Sequence, residues 1–167
     1  MQGNSNEFSC GGRSLTDWLG ELVADDRSRR VRAAEAIQQI RFQPSSQEAG
    51  PAHGHAHLEA FDAAVRDAMQ APGFDARGFV AAIVRLLGEP IRGEDAQEAF
   101  VQSLAASFVF LALRDEILLA PEAIRTMLGD PRQRWNAIQV IERLGPKAEV
   151  FADDLVAQID AGQPRRP

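Results

Sequence analysis

Three imidazoles stand at alternate positions in the stretch PAHGHAH, as His53, His55 and His57, and their type and spacing are the first suggestion of chemistry in this chain. Neutral imidazole ligates divalent transition metals, and alternate residues of an extended segment share one side. A working site also needs further ligands and a supporting shell of hydrogen bonds. Neither a cysteine nor an acidic residue lies within the motif. The Gly and Pro content around it predicts a loop over 43–57, so no metal ligand is assigned.

No Gly-rich phosphate loop, nucleophile motif or paired-carboxylate signature stands out elsewhere. Cys10 is the single cysteine, which rules out an intramolecular disulfide and a metal site of several thiolates. A lone thiol suits a reducing compartment. The expectation is a cytoplasmic, non-enzymatic protein without a cofactor. The opening MQGNSNEFS lacks the basic start and apolar core of a signal peptide. The most apolar stretch, 100–119, is interrupted by Gln102, Arg114, Asp115 and Glu116, so a buried helix is expected there and no membrane span.

Charge adds a second constraint. Eighteen Lys and Arg oppose 24 Asp and Glu, a net charge of −6 that works against nucleic acid at long range. The arginines are nevertheless concentrated: Arg27, Arg29, Arg30, Arg32 and Arg41 in one segment, Arg77 and Arg85 in a second, Arg132, Arg134 and Arg143 in a third.

The elements that position these groups read as helices throughout. Hydrophobic residues make up 45%, enough for one core, Tyr is absent, and no long run alternates β-branched with polar residues. Ser14 can cap a first helix with Asp17 three residues on, ahead of a stripe of Leu15, Trp18, Leu19, Leu22 and Val23. Periodicity and punctuation place further helices at about 28–42, 58–70, 74–88, 94–114, 121–129, 131–144 and 147–159, eight in all. The long one at 94–114 is expected in the middle of the stack. The polar, Gly-rich residues 1–13 and the tail 161–167 are expected to be flexible, leaving one all-α domain over 14–160.

An internal repeat ties the arginine segments together. Arg30, Ala33, Ala36, Ile37 and Ile40 match Arg134, Ala137, Val140, Ile141 and Leu144, and Asp26 and Asp130 stand four residues before the two arginines. An aspartate so placed can cap its helix and pair with the arginine one turn on. The segment RGFVAAIVRLLG, ending in Leu87 and Gly88, repeats the later part, and SLAASFVFLALR keeps only Ala106, Val109, Phe110 and Leu113.

A short helix, a Gly-Asp-Pro or Asp-Asp turn and a longer helix with this Arg and Ala spacing resemble the HEAT-like (armadillo-type) repeat family, including its short bacterial variety. The resemblance covers 15–41 and 121–159 well and the middle weakly. It implies a short α-α superhelix of helical pairs, an α-solenoid whose second helices, at 28–42, 74–88 and 131–144, line a concave side. It also implies a protein-binding scaffold or regulatory subunit, with a HEAT-like, lyase-like enzyme or a nucleic-acid-binding module as the alternative. The di-iron members carry repeated His-Glu dipeptides, and no His here is followed by Glu. Members that act as DNA glycosylases draw attention to Trp18 and Trp135, for which packing is the simpler expectation. Arg30 and Arg134 are expected to be structural, with Asp26 and Asp130. Arg32, Arg41, Arg85, Arg132 and Arg143 are the candidates for gripping an acidic segment of a partner protein.

Overall fold

Ser14 begins the helical part of the chain by a reciprocal cap: its hydroxyl accepts from the Asp17 N–H while the Asp17 carboxylate accepts from the Ser14 N–H. From there the computed structural model, which describes residues 8–42, 51–89 and 95–162, is helical almost throughout. The helices are α1 (Leu15–Leu22), α2 (Arg27–Phe42), α3 (Pro51–Met69), α4 (Ala76–Gly88), α5 (Ala96–Ser107), α6 (Pro121–Gly129), α7 (Arg134–Leu144) and α8 (Ala152–Gly162). A π-helical turn, Phe108–Ala112, continues α5, and 3-10 segments occupy Arg114–Leu119 and Gly145–Phe151.

Three local expectations are corrected. Residues 8–13 are ordered: β1 (Ser9–Cys10) pairs antiparallel with β2 (Arg13–Ser14) across Gly11 and Gly12, whose φ values of +59° and +76° suit a two-residue hairpin turn. Residues 1–7 lie outside the described part. The loop expected over 43–57 is helical from Pro51, because proline at a first helical position gives up an N–H that has no partner in any case. Residues 43–50 fall outside the described residues. The helical part also extends past 160, since α8 runs to Gly162, and 163–167 again fall outside the described residues.

The helix expected at 94–114 changes character toward its C-terminal end. Its buried pairs Leu104/Ala105, Phe108/Val109 and Ala112/Leu113 recur every four residues, wider than the 3.6 of an α-helix. A widened turn keeps all of them on one face, and the Leu113 N–H accordingly reaches back five residues to the Phe108 carbonyl at 2.9 Å.

Packing pairs α1 with α2 and α6 with α7. Between these pairs α5 packs against both α2 and α4, while α4 also meets α6, and α3 covers α1, α2 and the π turn. The principal contacts therefore insert α5 between α2 and α4, where stacked second helices were expected. One continuous apolar core runs from Leu15 to Phe151. Along it the rings of Phe8, Phe61, Phe108, Phe79 and Phe74 succeed one another at centroid distances of 6.1, 6.4, 6.1 and 5.5 Å. These tilted and edge-on contacts add about 0.5–1.5 kcal/mol each beyond area burial. They tie the hairpin, α3, the π turn and α4 together. Among the described residues no helix is long and apolar enough to cross a membrane.

Candidate functional site

The repeat arginines hold backbone rather than carboxylate. Arg30 donates through Nη1 to the carbonyls of Ala24 and Asp25 at 3.0 and 2.9 Å, and Arg134 donates through Nε to the Leu128 carbonyl at 3.2 Å. Each reaches the oxygen six residues upstream, which lies in the turn just past α1 for Arg30 and in the last turn of α6 for Arg134, where carbonyls lack helical partners. The expected side-chain pairs Asp26–Arg30 and Asp130–Arg134 are thereby corrected. Asp26 instead accepts from the Arg29 N–H at 2.8 Å as the cap of α2. Asp130 accepts from the Arg132 N–H at 2.9 Å, one turn before α7 proper begins.

The five candidate arginines are distributed over several surfaces. Arg32 and Arg41 are nine residues apart on α2, about 180° around the helix, so they occupy opposite faces. Arg32 folds back to donate to the Ser28 carbonyl at 3.3 Å. Arg41 lies over the rings of Phe42 and Phe61, with its Nε buried and lacking a hydrogen-bond partner among the described residues. Arg85 pairs with Glu89 at 3.7 Å and lines a groove of about 350 Å³ between α4 and α6, floored by Ala81, Ala123 and Met127. Arg132 is exposed beside Gln133, which lines that same groove.

Arg143 borders a different cleft, of about 430 Å³, between the π turn and α7. Val109, Ile117, Val140 and Leu144 form its apolar floor and Leu111, 46% exposed, its outer wall. Arg143 donates to the Phe110 carbonyl and stacks on the Phe110 ring at 5.3 Å. Asp115, also at the rim, is neutralised by an ion pair with Lys147.

The cleft also contains a residue that reading the sequence passed over. Arg114 has φ +39°, the one positive φ at a non-glycine position among the described residues. L-residues pay for that conformation with a clash of Cβ against backbone. Its guanidinium forms no hydrogen bond or ion pair among the described residues, whereas Arg13, Arg27, Arg29, Arg77, Arg85 and Arg125 are all in ion pairs. The repeat held the signal: Arg114 follows Leu113 as Gly145, at φ +55°, follows Leu144.

Behind the π turn, Arg66 donates to the Ala112 carbonyl at 3.1 Å, which fixes the turn from the α3 side. Burial pushes the neighbouring Asp62 carboxyl up from its ordinary value, against the opposing charges of Arg41, Arg66 and Arg114. The histidine motif lies elsewhere. His57 Nε2 is 3.3 Å from the Ile40 carbonyl and its ring is 5.9 Å from that of Phe8, a packing position between α2 and the hairpin. Trp18 is half-buried, donating to the Cys10 carbonyl at 3.0 Å beneath Arg13. Trp135 is 68% exposed, which corrects the packing expectation for it. It points away from the buried stripe of Ala137, Val140, Ile141 and Leu144 on the same helix.

Comparison of the chain with protein-family models, with curated proteins and with solved structures gives no match.

Proposed function

We propose that this chain is a HEAT-like helical-repeat domain that binds another protein without catalysing a reaction, through acidic groups of that partner. The observation that carries the reading is that two exposed arginines, Arg85 and Arg143, each border a separate groove with an apolar floor. Such a groove takes an apolar side chain while a guanidinium at its edge takes a carboxylate in a two-pronged grip. The shared upstream carbonyl contact of Arg30 and Arg134 supports equivalent helical pairs at the two ends of the chain. On this reading the position of α5 between α2 and α4 is a departure from a regular stack of helical pairs. The single thiol of Cys10 favours a reducing, cytoplasmic setting.

The test is capture of partners by the purified chain, followed by identification and direct titration. Binding of the identified partner should weaken as salt rises from low to physiological strength, and weaken further with Arg85→Glu or Arg143→Glu while the protein stays folded. Affinity indifferent to salt and to both reversals would remove the acidic-partner reading.

A further inference from the structure

The cleft between the π turn and α7 commits this domain further. We infer that it docks an amphipathic, acidic helical segment of a partner protein, with Arg114 and Arg143 as paired anchors for one carboxylate-bearing face. This rests on the protein-binding reading above.

Four observations converge on it. The floor is apolar and contributed by both walls, by Val109 and Ile117 on one side and Val140 and Leu144 on the other. An exposed leucine, Leu111, extends the apolar surface past the rim, so an entering segment gains contact beyond the cleft itself. The rim is cationic, because Arg114 and Arg143 keep their charge while Asp115 is neutralised by Lys147. The Arg114 guanidinium makes no hydrogen bond or ion pair among the described residues and interacts with Asp62 only through its charge, although its backbone adopts a conformation that glycine would take without strain. A strained arginine whose side chain is held by neither hydrogen bond nor ion pair among the described residues, at the mouth of a groove, is placed where backbone strain alone would favour glycine.

The chemistry of the occupant follows. Two guanidinium groups flanking an apolar slot complement a helix that carries Leu or a similar residue at i and i+4 and Glu or Asp beside them. Arg143 needs only to exchange its contact with the Phe110 carbonyl for a partner carboxylate, a stronger acceptor. A nucleic-acid strand fits less well, since the slot offers an apolar floor with two cations and the chain carries a net charge of −6.

The experiment titrates the full chain with three fluorescent probes: a helix-forming peptide of Leu at i and i+4 with Glu between, its Gln counterpart, and a single-stranded oligonucleotide. The Glu peptide should bind, and the Gln peptide should bind about tenfold or more weakly, as loss of a charged hydrogen-bonding partner does. Arg114→Gly should cost a similar factor in affinity with an unfolding midpoint that is unchanged or raised, which separates loss of an anchor from loss of fold. Arg114→Asn, which also tolerates this backbone, gives a second check. Arg77→Gln, at an exposed arginine outside the cleft, should leave peptide binding as it is.

Binding that survives Arg114→Gly and Arg143→Gln but is lost with Arg85→Gln overturns this cleft and leaves the acidic-partner reading standing. Failure of the Glu peptide to bind, or equal binding of the Gln peptide, overturns the proposal for this cleft. Preference for the oligonucleotide overturns both readings.

Discussion

Arg30 and Arg134 hold the same relation to the chain before them, each donating to the carbonyl six residues upstream, where one helix gives way to the next. A guanidinium at that position clamps α1 to α2 and α6 to α7 at their turns. Arg30→Ala and Arg134→Ala should each destabilise the fold by roughly 1.5–3 kcal/mol, the range for hydrogen bonds to charged groups. Chemical denaturation of the two variants checks this. Midpoints equal to wild type would show the contacts to be incidental.

Asp26 contributes separately as the cap of α2, so Asp26→Ala should cost about 1 kcal/mol and Asp26→Asn much less, because Asn caps as well. A double variant with Arg30→Ala should be close to additive, since Asp26 and Arg30 side chains do not pair with each other. A large coupling energy in the cycle would restore the side-chain pair.

Arg114→Gly should raise stability by up to about 1 kcal/mol through relief of a positive φ. Thermal and urea unfolding of the variant decide it. A lowered midpoint in both would mean that the arginine side chain stabilises the turn it sits in.

Glu21 receives hydrogen bonds from Arg29, at 2.6 and 2.8 Å, and from Arg13, at 3.1 Å. These two guanidinium groups hold its carboxyl down from 4.5 to about 2. A depressed acid contributes stability that is fully present above its unfolded value and fades as pH falls toward the folded one. Wild type should therefore lose stability between about pH 4.5 and 2 more steeply than Glu21→Gln. Denaturation midpoints across that interval, measured at constant ionic strength, provide the comparison. Parallel curves for the two proteins would remove the role of Glu21.

Phe108 sits at the middle of the ring succession and is 2% exposed, and Phe108→Ala should cost about 3–5 kcal/mol. Trp135, at 68% exposed, should change stability by no more than about 0.5 kcal/mol on replacement with Ala. The contrast between two large aromatics is the measurement.

The helical elements were legible wherever apolar residues recurred at helical spacing, as along Val31, Ala34, Ile37 and in the stretch Ala137 to Leu144. Three features escaped for identifiable reasons. The hairpin strands are two residues each, too short to alternate, although Gly11-Gly12 is a hairpin turn signal. The start of α3 was hidden because Gly54, Pro51 and three histidines look like a loop when read without the rest of α3 behind them. The π turn was hidden because a four-residue spacing looks like a slightly irregular α-helix. At the site, the sequence placed Arg85 and Arg143 on helices, as the structure has them, but long side chains choose their partners in three dimensions. That is why Arg30 ends on carbonyls and Arg41 over two aromatic rings, and why Arg114 stands out only through its backbone.

The insertion of α5 between α2 and α4 has a consequence for how the molecule comes apart. In a strict linear array each unit touches only its neighbours in sequence, so end units can fray while the rest persists. Here α5 meets α2 across the intervening α3 and α4, and Arg27 at the start of α2 is ion-paired to Asp95 at the cap of α5. Opening either end therefore breaks contacts made with the centre. The domain should melt as a single cooperative unit and fold more slowly than a nearest-neighbour stack of the same length, because its central contacts close a longer stretch of chain.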